Sequence, residues 1–386
     1  MRRARAAAAA AFLFSGTCAA FPMCDDGELR RQAQHRLEEW RDALRKKDYA
    51  RLDAHYNQLL GSAARGDISD AEARRWFAIF ESTRERDEPL IEEWARIMPR
   101  SAAAHLALAY FHAERAHAVL DKAAAPRPSP AQSAAAGEDA RAALLALDNA
   151  QRLGVRLSLA NAARIRVAAS GATPLDSARL YREALRERPG TLEARLQYVR
   201  AASPREGGDF KRLEAIVEDA RGLPEADARY IRYLVYQEMG SAMEAAKDDK
   251  AAARYYERSI PLCPGFDQAA NKAVLLYERT GDHAALVKAA ERLVERSRSN
   301  GWAVGMRGKG YRGQGRYREA RADFERAIEL GDAGALEALA GLYENGQGVP
   351  RDIARALELY GAAAIREVAG AREKAQRLRK TTGTPP

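Results

Sequence analysis

The feature that most constrains this chain is a recurrence in its C-terminal half. Ala252 and Ala320 stand 68 residues apart, as do Tyr256 and Phe324, and Gly240 and Gly308, while Tyr277 to Tyr311 and Gly281 to Gly315 are each 34 apart. Since 68 is twice 34, one period accounts for all five pairs. A period of 34 residues means helical hairpins stacked in a row, each burying its apolar face only against its neighbours. Composition agrees: 47% of residues are hydrophobic but only 7% aromatic, and alanine carries much of the difference. Alanine-rich sequence with few β-branched residues favours helix and close helix packing. The expected fold is all-α, a helix-turn-helix repeat solenoid with an irregular helical N-terminal half.

The first twenty residues read as an export signal. Arg2, Arg3 and Arg5 precede an apolar run from Ala6 to Phe14, and a small-residue stretch from Ser15 to Ala20 supplies the cleavage region. The run is too short to span a bilayer, which takes about 20 residues. Cleavage after Ala20 would give a periplasmic or secreted protein. The alternative is a lipoprotein anchored at Cys18. No later stretch is a transmembrane candidate. Removing the signal lowers the net charge from +9 to 63 − 3 − 54 = +6. This spread positive balance favours acidic partners or an anionic envelope surface, and the absence of basic stretches interleaved with aromatics argues against nucleic acid. Cys24 and Cys263 would remain, either as a disulfide tying the N-terminal arm to the repeats or as two thiols.

Along the mature chain, Leu29, Ala33, Leu37, Trp40 and Leu44 share one helix face within residues 28–47. Tyr49, Leu52, Tyr56, Leu59 and Leu60 mark a second helix closed by Gly61, and a third is expected from Asp70 to Phe80 with Ser69 and Asp70 capping it. Pro99 ends one helix and Ser101 starts the next. Lys122 to Glu138, with Pro126, Pro128, Pro130 and Gly137, reads as a loop, and helical patterning resumes at Ala140. The stretch Ser203-Pro204-Arg205-Glu206-Gly207-Gly208-Asp209-Phe210 interrupts the repeat register.

These residues resemble known families. Units 233–266, 267–300 and 301–332 resemble tetratricopeptide repeats, with Gly240, Val274 and Gly308 at the small eighth place and Tyr277 and Tyr311 at the eleventh. Ala252 and Ala320 stand at the twentieth, Tyr256 and Phe324 at the aromatic twenty-fourth, and Leu286 and Ala290 are departures in the middle unit. Unit 333–368 resembles the Sel-like variant through Leu339-Ala340-Gly341-Leu342-Tyr343, Asn345-Gly346-Gln347-Gly348-Val349-Pro350-Arg351-Asp352, Ala356 and Tyr360, with a turn four residues longer. Gly346 and Gly348 would take positive φ there and Asp352 would cap the second helix. Residues 28–225 resemble domain of unknown function 4034 at Leu52-Asp53-Ala54-His55-Tyr56, Trp94, Pro99-Arg100-Ser101 and Pro204-Arg205-Glu206-Gly207-Gly208, with Glu206 where that family has an aromatic. Residues 369–386 would form a C-terminal cap helix and tail, with Ile365, Val368, Ala371, Ala375 and Leu378 on one face.

No catalytic constellation is evident. His105 and His112 share a helix face but His117 points elsewhere and no Cys or Asp sits at ligand spacing beside them, and the glycine run from Gly305 to Gly315 lies inside a helix rather than between a strand and a helix, as a phosphate loop would. Glu92-Glu93 and Asp248-Asp249 read as solvated helix positions. No enzyme, cofactor or metal is expected. The tetratricopeptide resemblance implies a groove lined from first helices, placing Gln268, Asn271, Leu275 and Glu278 beside Trp302, Gly305, Lys309 and Arg312. Gln268, Asn271, Trp302, Lys309 and Arg312 would hold a protein or peptide partner with acidic or C-terminal carboxylate groups. The expectation is a non-enzymatic interaction scaffold or adaptor in a bacterial cell envelope. Its rivals are an accessory protein for polysaccharide export or secretion machinery, and an enzyme whose unrecognised site would be a deep pocket with convergent carboxylates in residues 28–225.

Overall fold

A computed structural model of the chain describes residues 37–81, 87–121, 129–264 and 266–383. The segment expected to be an export signal, 1–20 with Cys18 and Ala20, falls outside the described residues, as does Cys24. Among those described there is helix and no strand, so the all-α architecture is observed. No described helix is long and apolar enough to cross a membrane. The chain divides into two compact units, Met1–Glu238 and Met239–Pro386.

The first unit contains α1 (37–45), α2 (Tyr49–Arg65), α3 (Asp70–Trp76), α4 (Ala78–Glu81), α5 (Glu88–Ile97), α6 (Ala102–Asp121), α7 (Pro130–Arg152), α8 (Leu157–Ala169), α9 (Ser177–Glu187), α10 (Leu192–Ala201), α11 (Phe210–Asp219) and the start of α12 (Glu225–Ala245). Its core is aromatic at one end. Tyr56, Phe77, Phe80, Trp94 and Tyr110 are buried, with the Tyr56 ring edge-on to Phe77 at 4.9 Å between centroids and its hydroxyl donating to the Trp76 carbonyl at 3.0 Å. Burying such rings is a large favourable term, although Trp94 Nε1 and the Tyr110 hydroxyl are buried without a hydrogen-bond partner among the described residues. His55 stacks on Trp40 at 3.8 Å, and burial pushes its imidazole down to about 4, so it is neutral at physiological pH. Of the residues that suggested the uncharacterised family, Leu52, Tyr56, Trp94 and Ser101 are buried, whereas Ala54, Pro99, Arg100, Arg205 and Glu206 are exposed.

Two expectations change here. The helix expected from Asp70 to Phe80 is two, α3 and α4, separated at Phe77. Phe77, Ile79 and Phe80 are all fully buried, and a straight helix would spread these neighbours around its circumference. The loop expected from Lys122 to Glu138 gives way to helix at Pro130. Ser129 Oγ accepts from Gln132 N at 3.2 Å and Gln132 Oε1 accepts from Ser129 N at 2.8 Å, a capping box with proline at the first helical position. Pro130 therefore starts α7 instead of breaking it.

The second unit continues from α12 through α13 (Asp249–Ser259), α14 (Asp267–Thr280), α15 (His283–Arg296), α16 (Gly301–Gly313), α17 (Tyr317–Glu329), α18 (Gly334–Asn345), α19 (Ile353–Ile365) and α20 (Ala371–Thr382). α14, α16 and α18 begin at 267, 301 and 334, intervals of 34 and 33. From α13 onward each helix packs on the next, and α16 also touches both α14 and α18, so these first helices form one layer. The small eighth place has a steric reason. A Cβ on Gly240 would lie 2.8 Å from the Tyr256 ring, and one on Gly308 would lie 2.7 Å from the Phe324 ring. Each glycine admits the aromatic side chain sixteen residues on, across its own hairpin.

The longer turn after α18 is as expected: Gly346 and Gly348 have φ of 67° and 69°, and Asp352 accepts from Arg355 N at 2.9 Å. The closing segment is not. Ile365 ends α19 and is 85% exposed rather than sharing the buried face of Ala371, Ala375 and Leu378. Glu367 at φ 58° and Gly370 at φ 78° turn the chain between the two helices, resetting the helical phase. Asp248 and Asp249 are engaged rather than simply solvated: Asp248 caps α13 through Ala251 N, and Asp249 pairs with Arg279. Cys263 is fully buried and disulfide-bonded, not a thiol.

Candidate functional site

The layer of first helices in the second unit carries the residues expected to bind. Gln268 is exposed near the start of α14, and Asn271 one turn on is half-buried with its Oδ1 shielded and unbonded. Leu275, at the next position along that face, is 47% exposed, an apolar side chain that this unit leaves in water. On α16, Trp302 is half-buried and packs against the cluster of Ala270, Val274 and Met306, so much of it is structural. Lys309 reaches back to α14, where its Nζ donates to Glu278 at 2.6 Å, and Asp332 lies close enough to feel its charge. Lys309 is therefore compensated from within the unit. Gly305 faces Asp332 directly, since a Cβ there would meet Oδ2 at 2.2 Å. Arg312 differs. It is half-buried, lies over Gly341 of α18, and has no ion-pair or hydrogen-bond partner among the described residues. The layer thus offers one uncompensated guanidinium, one exposed leucine and an exposed amide.

The histidines are not brought together. His105 contacts the Pro99 carbonyl at 3.1 Å, and His117 faces a cavity described below. His112 Nδ1 lies 2.8 Å from Asp139 Oδ1 on α7. Ligand-type atoms of Glu88, Glu92 and His112 fall within 4.8 Å of one another. Arg115, however, pairs with Glu88 and, at 3.3 Å, with Asp139, so this cluster is closed by its own cation and joins α5, α6 and α7 as a charge-linked joint.

A feature that the repeat pattern did not reveal is a polar cavity of about 270 Å³ in the first unit. It is lined by Glu114 and His117 of α6, Arg166 and Ala169 of α8, Gln197 and Arg200 of α10, Arg205 and Glu206 of a 3-10 turn (Pro204–Glu206), and Glu238 of α12. The register-breaking stretch singled out in the sequence forms its wall. Ser203 caps the turn, Gly207 adopts φ 81°, and a Cβ on Gly208 would sit 2.0 Å from the Ala202 carbonyl oxygen. Only glycine fits at both positions.

Behind the cavity lies a buried ionic network. Arg74 is paired with Glu81, lies 3.6 Å from Glu193 and stacks over the Tyr110 ring at 4.3 Å. Burial pushes the Glu193 carboxyl up to about 7 against the pull of Arg74. Gln197 donates to Glu193 at 2.7 Å, and Arg166 pairs with Glu114 while reaching toward Glu81, so two cavity residues are anchored in this network. Asp70 accepts from the Thr191 hydroxyl and from Leu192 N, fastening α3 to α10. Burial likewise raises Glu238, although the Ser203 hydroxyl and the charges of Arg200 and Arg205 oppose it. None of the lining side chains is a hydroxyl or thiol nucleophile.

No family model matches the chain, and no curated protein does. Solved structures similar to it include MamA residues 41 to the end from Desulfovibrio magneticus RS-1, at 16% identity over 54% of this chain and 98% of that one with a TM-score of 0.32. Another is c5321, described as a protective antigen of uropathogenic Escherichia coli displaying an SLR fold, at 14% identity over 90% and 83% of the two chains with a TM-score of 0.31. Human IFIT1 with PPP-AAAA aligns at 14% identity over 88% and 85%, with a TM-score of 0.32. From its own geometry the chain is an all-α protein of stacked helical hairpins.

Proposed function

We propose that this protein is a non-enzymatic binding protein, an exported adaptor of a bacterial envelope that captures a protein or peptide partner on the first-helix layer of its second unit. The observation that carries this reading is the company of Arg312, without a partner among the described residues, and Leu275, 47% exposed, on one continuous layer. A guanidinium fork matches a carboxylate, and an exposed leucine supplies apolar contact area beside it. Such a layer suits a segment with an acidic or C-terminal carboxylate group. The disulfide at Cys263 and the basic, then apolar, then small-residue sequence of residues 1–20 support export into an oxidising compartment.

The test is photo-cross-linking in intact cells with a benzophenone amino acid placed at Leu275, and at Leu145, which is 63% exposed on the first unit, as the control. A discrete adduct is expected from position 275 and none from 145, and Arg312→Glu should reduce it at least about tenfold, the effect of about 1.4 kcal/mol. An adduct unaffected by Arg312→Glu, or none at all, would overturn the reading.

A further inference from the structure

The cavity of the first unit has chemistry of its own. Its lining carries three guanidiniums and three carboxylates, Arg166, Arg200 and Arg205 against Glu114, Glu206 and Glu238, so their formal charges cancel. They do not all cancel locally. Arg166 is paired with Glu114, Arg205 is engaged within the protein, and Glu238 accepts from Ser203. Arg200 and Glu206 line the same cavity with no ion pair or hydrogen bond of their side chains among the described residues, to each other or to anything else. A lone anion placed there would meet Glu206 and Glu238, and a lone cation would meet Arg200 and Arg205. Only a ligand carrying both charges uses the lining without a like-charge penalty.

Size narrows the class. About 270 Å³ has room for about nine waters at roughly 30 Å³ each, enough for a solute of about ten heavy atoms. Ala169 is the one apolar lining residue and the His117 imidazole the one ring, with no phenyl, phenol or indole beside it, which disfavours a ligand held mainly by stacking. The wall bearing Glu206 is fixed by Gly207 and Gly208, so little ordering entropy remains to be lost on binding. We propose that this cavity binds a free amino acid or a zwitterion of that size, its carboxylate held by Arg200 and its ammonium by Glu206. The site lies wholly within the first unit and is distinct from the partner-binding layer of the second.

The experiment uses the full chain and the standard L-amino acids, each screened by saturation-transfer NMR up to about 10 mM. The tightest binder is then titrated against two matched analogues, one lacking the α-ammonium and one lacking the α-carboxylate. One or more amino acids should bind with Kd near or below about 1 mM. Each analogue should bind at least tenfold more weakly, as should the wild-type ligand on Arg200→Gln and on Glu206→Gln. Both side chains are exposed, and circular dichroism checks that the variants are folded. No binding across the set, an analogue that binds as well as its parent, or folded variants with undiminished affinity would each overturn the proposal.

Discussion

At the scale of single residues, sterics and burial make opposing demands that substitutions can separate. Gly308 lies inside α16, where alanine would gain up to about 1 kcal/mol of helix propensity. Its Cβ would meet the Phe324 ring at 2.7 Å, an overpacking cost of about 1–3 kcal/mol, so Gly308→Ala should lower the melting temperature. Gly137 in α7 is the control, since a Cβ there meets only the Arg141 guanidinium at 3.6 Å. Gly137→Ala should stabilise by about 0.5–1 kcal/mol. If thermal melts shift both variants in the same direction, the packing argument fails. Glu193 gives a pH signature. Its carboxyl rises from 4.5 to about 7 on folding. The group is protonated in both states below about 4.5, and as pH rises through 7 the folded state must hold a buried carboxylate, so stability is lost across that window. Urea titrations should show Glu193→Gln removing a decline of about 3 kcal/mol between those limits. An unchanged slope in the variant would refute the shift.

At the scale of elements, caps and turns decide where helices start and how they are phased. The capping box at Ser129 made a helix of residues that proline and glycine content suggested were loop. Ser129→Ala should therefore cost about 1 kcal/mol and increase amide exchange in the first turn of α7, which exchange mass spectrometry would detect. The turn after α10 is set more rigidly, because any side chain at Gly208 collides with backbone. Gly208→Ala should shift the Ser203 and Glu206 backbone resonances and lower the melting temperature. A variant with wild-type spectra and stability would show that the turn relaxes freely. The placing of Glu206 in the sequence was legible, since its stretch broke the register. What it faces was not, because α6, α8, α10 and α12 come together only on packing.

At the scale of the whole molecule, the two units reached the same all-α solution by different routes. The second is periodic, its glycine and aromatic places recurring at 34 residues. The first is held by an aromatic core and a buried ionic network joining residues as distant as Asp70 and Leu192. Oxidation is a property of the intact chain: Cys263 should resist alkylation in denaturant and become labelled only after reduction, and labelling without reductant would contradict the disulfide. The sequence by itself determined the helical class, the hairpin period, the glycine turn at Gly346 and Gly348 and the small residue opposite each aromatic, because these depend on side chains a few turns apart. Tertiary structure alone decided that Lys309 is neutralised by Glu278 while Arg312 has no partner among the described residues. It also decided that Phe77 splits a helix, and that Arg200 and Glu206 share a cavity. Those outcomes depend on which helix faces meet, and hence on the desolvation and charge pairing that contact imposes, which neither local propensity nor spacing encodes.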